Sequence, residues 1–440
     1  MADWRDQDAT REWLETHGLS PNGALSKAAL FAQAAQRLLE SNVPDSTPTV
    51  GCYCPGRLEV LGKHTDYAGG RSLIAAPEIG ITALACVGES GQLKAHSLQA
   101  AQTVSVDLRG ADSPRGWGLY PTTVLRRLTH NFPRFDLGLH LTCASDLPLA
   151  AGMSSSSALM TATLLCALKL FDLDADPRLQ SSVQTPEERA YFASCVENGN
   201  SFGEFEGDPG VGTFGGSEDH TAMFTGRTNH LSQFGFAPIL HERSIAIPKD
   251  LTFLVAQSGV AAEKTAGALQ SYNRLSLMVR ELERQARAQG LGTTQQTLAQ
   301  VLRAHPEHGA RLEHALQTAT DLRYPAEDLT RRLRHFQLES EKLISMWPAD
   351  WTRAHDALIG DLAAQSTGAA QDLLANQVPE TLALTEALLE AGALAASPFG
   401  AGFGGSVWAL IQDDQADSLV QQFQTQEAQP IPLGPAATCL

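Results

Sequence analysis

The sequence predicts an α+β protein of two domains, and three observations carry that expectation. Its 440 residues exceed what one domain of ordinary size holds. Strand-like and helix-like textures fall in separate blocks, without the regular alternation of a parallel βαβ sheet. Hydrophobic residues make up 43% and charged residues 18%, which suits a packed core and argues against general disorder.

The elements follow in chain order. Residues 1 to about 46 read as amphipathic helices, clearest in "KAALFAQAAQRLLES". From Thr47 to about Ser145 the texture is strand, in "SLIAAPEIGITALACVG", "QLKAHSL", "TVSVDL" and "LGLHLTCAS". β-Branched residues and alternation mark these runs, and Gly, Asp and Ser turns separate them. "TTVLRRLTHNF" is a helical interruption. Helix returns at about Ser154 to Phe171 and at "TPEERAYFASCVENGN", where Thr185 and Glu188 have capping-box spacing. A glycine-rich run over 199–218 precedes strand-like "LTFLVAQSG"; a solvated loop is the default for its 203–216 part. Helical stretches then span about 262–375, and "LAASPFGAGFGGSVWALIQ" reads as strand, loop, strand. A boundary near "HERSIAIPKD" divides the chain into 1–244 and 245–440.

Charge narrows the function classes. A formal net charge of -17 gives no basic footprint for nucleic acid and repels anionic membranes. An anionic ligand must therefore be held by backbone donors, a metal ion or a few placed cations. The polar N-terminus is no signal peptide, no apolar run reaches a membrane span, and the cytoplasm is the default. The seven cysteines, Cys52, Cys54, Cys86, Cys143, Cys166, Cys195 and Cys439, are odd in number and lack CxxC spacing. That argues against a disulfide framework or a structural zinc site.

Three stretches hold more chemistry than folding requires. In "GRLEVLGKHTDYAGG", period-two alternation at Arg57 to Val60 reads as a strand, and then Lys63, His64, Thr65, Asp66 and Tyr67 crowd one turn. A turn needs only its glycines and one Asp. In "DLPLAAGMSSSSALMTATLLCALKLF", four serines behind Ala151-Gly152 open an apolar helix. One serine would cap it; four resemble a phosphate cradle, where orphan N–H groups and the helix dipole meet an anion. No G-x-x-x-x-G-K-[ST] loop occurs in the chain. In "SPFGAGFGGSVW", Gly400, Gly402, Gly404 and Gly405 allow close backbone approach.

In this order, "GRLEVLGKHTDYAGG", "PLAAGMSSSSA" and "FGAGFGGSVW" resemble the three signature motifs of the GHMP kinases. The His-Thr-Asp-Tyr turn resembles galactokinases in particular, and homoserine and mevalonate kinases lack it. The resemblance covers about residues 46 to 411 and is weakest over 280–350. It implies an N-terminal α/β domain packed on a C-terminal ferredoxin-like domain, with the active site in the cleft between them. It further implies ATP and Mg²⁺, with a small-molecule sugar as acceptor. The protein is expected to be a monomer or weak homodimer.

By the same resemblance, N–H groups of Gly152, Met153, Ser154, Ser155 and Ser156 bind ATP phosphates, and Ser155 with Glu197 holds Mg²⁺. Asp219 matches the catalytic carboxylate, with neighbouring Glu218 one residue away in register, and Arg57 matches the arginine that pairs with it. Asp66, His64, Tyr67 and Tyr272 match sugar-contacting or pocket-supporting positions. Lys63 departs from the family's Glu. It is expected either to meet an acidic sugar, such as a uronic acid, to shift the pocket to another neutral sugar, or to point to solvent. The function implied is a sugar-1-kinase acting on galactose or a similar sugar; a uronic-acid kinase and a non-catalytic sugar and ATP sensor are the alternatives.

Overall fold

The computed structural model describes residues 2–110, 113–135, 137–148, 151–261 and 266–440. Its strands are β1 (Val50–Pro55), β2 (Leu58–Leu61), β3 (Arg71–Ala75), β4 (Gly80–Val87), β5 (Gln92–Ser97), β6 (Gln102–Asp107) and β7 (Leu139–Ser145). There follow β8 (His230–Gly235), β9 (Leu240–Ala246), β10 (Leu251–Gln257), β11 (Ala395–Pro398), β12 (Ser406–Gln412), β13 (Gln429–Ile431) and β14 (Thr438–Cys439).

They form three sheets, ordered β14-β1-β4-β7-β5-β6, β2-β3-β8-β9 and β11-β12-β10-β13. All pairs are antiparallel except β5 with β7. The apolar helix Ser155–Leu170 packs on β1 and β4, and the helix Pro21–Glu40 packs on β4 and β7. The second of these starts where its sequence says it should: Pro21 sits at its first position, and the Ser20 hydroxyl accepts from Gly23 N at 3.1 Å. Trp4, Trp13 and Phe31 close this layer through ring contacts. The helix Pro186–Asn198 carries the capping box read from Thr185 and Glu188 and ends at left-handed Gly199.

The helical stretch expected from 262 is described from Ala266, since 262–265 lie outside the described residues. Within it the helix Ala326–Phe336 runs into a π-helical segment, Gln337–Leu343. Arg332, His335, Glu339 and Ser340 are all fully buried there. Polar side chains seldom pack inward without partners, and these partners prove to lie in the site. Among the described residues no helix is long and apolar enough to cross a membrane.

Four expectations need correction. A boundary between 244 and 245 would cut β9, which pairs along its length with β8; the sheets permit a division only after Ala246. Nor is the C-terminal part self-contained, because β14 returns to pair with β1. The argument against disulfides fails at one pair: Cys52 on β1 and Cys439 on β14 are bonded, across 387 residues. Spacing along the chain says nothing about two cysteines that a strand pairing brings together. The 203–216 segment is not simply solvated either. Phe205 is buried in the main core, Arg127 donates to the carbonyls of Asn200 and Phe205, and Asn273 accepts from Phe214 N and donates to Gly212 O.

A crosslink that closes so long a loop restricts the unfolded chain, contributing roughly 2–4 kcal/mol. We expect a reductant to lower the melting temperature of the wild-type protein. Cys439→Ser should melt at the reduced temperature with or without reductant; an indifferent wild type would contradict the crosslink.

Candidate active site

The strand β2 and the turn after it deliver the first motif to a cavity of about 480 Å³, within the range of roughly 300–1,000 Å³ typical of small-molecule sites. The turn is held from inside: Thr65 Oγ1 donates to Gly62 O at 2.8 Å and to Arg71 O at 2.6 Å. His64 takes left-handed φ of 57°, a conformation a non-glycine residue adopts only under constraint. The constraint comes from across the fold. Arg332 donates to His64 O at 2.5 Å and to Tyr67 Oη at 3.2 Å, and Glu339 Oε1 accepts from Gly62 N at 2.8 Å.

His64 is neutral, its pKa lowered to about 3 by burial and by Arg332. Its Nε2 lies 3.0 Å from Ala401 O, a pure acceptor, so Nε2 carries the proton. Nδ1 then accepts from Tyr67 Oη at 3.0 Å. The imidazole thus stabilises the turn and also presents its ring to the cavity, beside the Tyr272 ring at 5.5 Å. Asp66 faces the same space and accepts from Glu218 N at 3.0 Å. Burial raises its carboxyl to about 6, against the opposing effect of the Glu218 and Tyr67 N–H groups.

Glu218 and Asp219, neighbours in the short helix Glu218–Thr225, both line the cavity but differ in geometry. Asp219 Oδ1 accepts from Arg57 Nε at 2.7 Å, and its Oδ2 lies 3.4 Å from Ser157 Oγ. Its side chain is 28% exposed against 6% for Glu218. Asp219 therefore offers an oxygen to the cavity, while Glu218 turns inward to Ser72 Oγ at 2.5 Å.

Ser154, Ser155, Ser156 and Ser157 line the cavity at the N-terminus of the helix Ser155–Leu170, where unpaired N–H groups and the dipole attract anions. Gly152 lines it as well, and its carbonyl accepts from Arg57 Nη1 at 3.2 Å. Met153 differs: its side chain is in the core and its carbonyl accepts from Arg57 N at 3.0 Å, so only its N–H remains for a phosphate. The third motif explains its glycines here. A Cβ on Gly400 would lie 2.9 Å from Gly152 O, so the two loops meet backbone to backbone.

Apolar Trp117, Tyr120, Leu147 and Leu159 also line the cavity, an apolar arm of its wall. Sequence reasoning missed these residues, as it missed Arg332 and Glu339. Their only sequence signal is the i, i+3, i+7 spacing of Arg332, His335 and Glu339 in "RRLRHFQLESEKL", a polar stripe that usually reads as a solvated helix face.

A divalent cation fits what is present. Ser155 and Glu197 both line the cavity, and hydroxyl and carboxylate oxygens suit a hard ion. Glu197 is 4% exposed and lies 3.1 Å from His220 Nε2. Among the described residues no group of three or more His, Cys, Asp or Glu side chains is placed to hold a metal ion by itself, so most ligands would come from phosphates and water.

Lys63 is the correction. It neither lines the cavity nor reaches solvent: it is 1% exposed, and Nζ donates to Ser366 Oγ at 2.7 Å and Ser397 Oγ at 3.0 Å. Its ammonium is held in the interior by the two hydroxyls, while the neighbouring His64 lines the cavity.

Comparison with known proteins agrees with this architecture. The model of the GHMP kinases N terminal domain matches residues 120–194, that of the galactokinase galactose-binding signature 41–87, and that of the GHMP kinases C terminal domain 354–428. The galactokinase of Pasteurella multocida (strain Pm70) is 26% identical over 394 residues, 88% of this chain and 92% of that protein. That of Haemophilus influenzae (strain PittEE) is 23% identical over 377 residues, 84% and 88% of the two chains. The crystal structure of Lactococcus lactis galactokinase complexed with galactose superposes with a TM-score of 0.70 at 21% identity, covering 92% of this chain and 99% of that one.

By these matches the chain carries GHMP kinase N- and C-terminal domains and a galactokinase galactose-binding signature, and it is similar to galactokinases along most of its length.

Because Lys63 sits beside Glu339 and Glu59, Lys63→Glu would crowd like charges in the interior. We expect a stability loss of about 3 kcal/mol or more, read by chemical denaturation. A well-folded Lys63→Glu protein with altered sugar preference would contradict this placement.

Proposed function

We propose that the protein is an ATP-dependent sugar-1-kinase that transfers the γ-phosphoryl group of ATP to the anomeric hydroxyl of galactose or a closely similar sugar. The observation that carries this reading is the 2.7 Å Arg57–Asp219 pair, set between the serine-lined helix N-terminus and the His-Thr-Asp-Tyr turn. The relatives named above, galactokinases, and the galactose in the Lactococcus lactis structure support the choice of sugar.

Phosphoryl transfer asks a protein for positioning and charge neutralisation more than for covalent chemistry. The helix N–H groups at Gly152 to Ser156 take the phosphates, and the apolar arm at Trp117 and Tyr120 takes the base. Asp66 accepts from sugar hydroxyls, and the rings of His64 and Tyr272 set the acceptor's plane. Asp219 orients the anomeric hydroxyl and receives its proton as the oxygen–phosphorus bond forms and the bond to ADP breaks. Arg57 faces the charge that builds on the transferring group. A magnesium ion held by Ser155 and Glu197 would neutralise phosphate charge.

The uronic-acid alternative loses the cation on which it rested, since Lys63 lies behind the turn. An intact Arg57–Asp219 pair supports turnover over sensing alone.

The test is ADP release from Mg-ATP with galactose, galacturonate, glucuronate, arabinose, fucose and N-acetylgalactosamine. We expect turnover with galactose, its loss by a factor of about 100 or more in Asp219→Ala, and retained ATP binding. An active Asp219→Ala enzyme would refute the assignment.

Sugar affinity should also depend on pH. With Asp66 at about 6, its carboxylate is present above that value and is lost as pH falls through it. KM for the sugar should rise below about pH 6, and Asp66→Asn should raise KM at all pH values while removing the slope. A slope that persists in Asp66→Asn would place it elsewhere.

A further inference from the structure

The glycine-rich run ends in two residues, Gly215 and Gly216, that line the cavity. Neither has a left-handed φ, so backbone conformation does not demand glycine at either position. Space does. A Cβ on Gly216 would collide with Asp66 Oδ2, and one on Gly215 would lie 2.9 Å from Tyr272 Oη. Bare backbone thus forms the wall that faces the two side chains on the sugar side of the cavity.

Such a wall has no side chains of its own to fix it, and its N–H and C=O groups need partners from elsewhere. Two asparagines supply them, from two different helices. Asn198, the last residue of the helix Pro186–Asn198, accepts through Oδ1 from Gly215 N at 3.0 Å and Thr213 Oγ1 at 3.1 Å. Its Nδ2 donates to Gly216 O at 3.2 Å and to Ser194 O at 3.0 Å. These partners settle the orientation of the amide: an N–H and a hydroxyl face one end, and two carbonyls face the other. Asn273, beside Tyr272 on the helix Ala266–Ala288, accepts from Phe214 N and donates to Gly212 O, both at 2.9 Å.

We propose that Asn198 and Asn273 are positioning residues for the sugar. They clamp the 212–216 segment from both sides and so set the width of the site between the Gly215–Gly216 backbone, Asp66 and Tyr272. Asn273 does not line the cavity, so its effect on the sugar passes through the segment it holds. The serine-rich loop at Gly152 to Ser156 takes part in none of these bonds. Without the clamp, the segment has to be ordered when the sugar binds, and that ordering costs affinity.

This inference rests on the sugar-kinase reading, so its test measures binding as well as turnover. Galactose binding to the full chain without nucleotide, followed by calorimetry, should weaken about tenfold in Asn198→Ala and in Asn273→Ala. KM for galactose should rise in parallel, while ATP affinity stays at the wild-type value. General loosening of the fold would not give that split. Asn273→Ala, a half-buried helix position, decides the matter alone if Asn198→Ala fails to fold. Unchanged galactose affinity in Asn273→Ala, or sugar and ATP affinity falling together, would overturn the clamp and leave an active wild type a kinase. A wild type that binds galactose but phosphorylates no sugar, with binding weakened in the variants, would uphold the clamp and refute the kinase reading.

Discussion

Arg57 is the side chain on which the rest of the site depends. From one buried position it donates to Asp219 and to the Gly152 carbonyl, and its own N–H reaches Met153 O. The acid, the phosphate loop and the strand leading to the sugar turn are thereby fixed to one another. Arg57 is buried while Asp219 is partly open to the cavity, and removing the guanidinium would release all three contacts together. Glycine at 400 and 152 extends the same constraint to the third motif, because two backbones meet where a Cβ would collide.

A second set of buried charges supports the sugar turn from the opposite lobe. Arg332 reaches His64 O and Tyr67 Oη, and Glu339 holds the Gly62 amide. Both belong to the helix and π-helical segment at 326–343, a backbone irregularity common near functional sites. The His64 tautomer follows from this arrangement: burial and Arg332 keep the ring neutral, Ala401 O accepts from Nε2–H, and Tyr67 donates to Nδ1. The turn is thereby hydrogen-bonded to the glycine loop at Ala401, and that loop packs on the serine-rich loop at Gly400 and Gly152.

Much of the fold was legible because its signals are local. Capping at Thr185 and Glu188, the apolar helix after the serines, and the alternating strands from 71 to 107 all lie where the sequence reading places them. The signals failed where partners are distant. Nothing near Cys439 announces Cys52, and strands β8 and β9 carry too many polar residues to stand out before β8 pairs with β3 and β9 with β8. The site divides the same way. Arg57, Asp66, Asp219 and the serines sit in dense motifs, whereas Arg332 and Glu339 look like an exposed helix face until the fold buries them. Lys63 was misread because its partners, Ser366 and Ser397, are far away in the chain and nothing near it shows that the fold buries it.

The central claim is that the cavity transfers the γ-phosphoryl group of ATP to the anomeric oxygen of a sugar and releases ADP. Phosphorus NMR of galactose incubated with Mg-ATP and the protein tests it most directly. The account predicts one new resonance, coupled to the anomeric proton, growing as ADP appears. Phosphate attached at another carbon, or only inorganic phosphate, would contradict it.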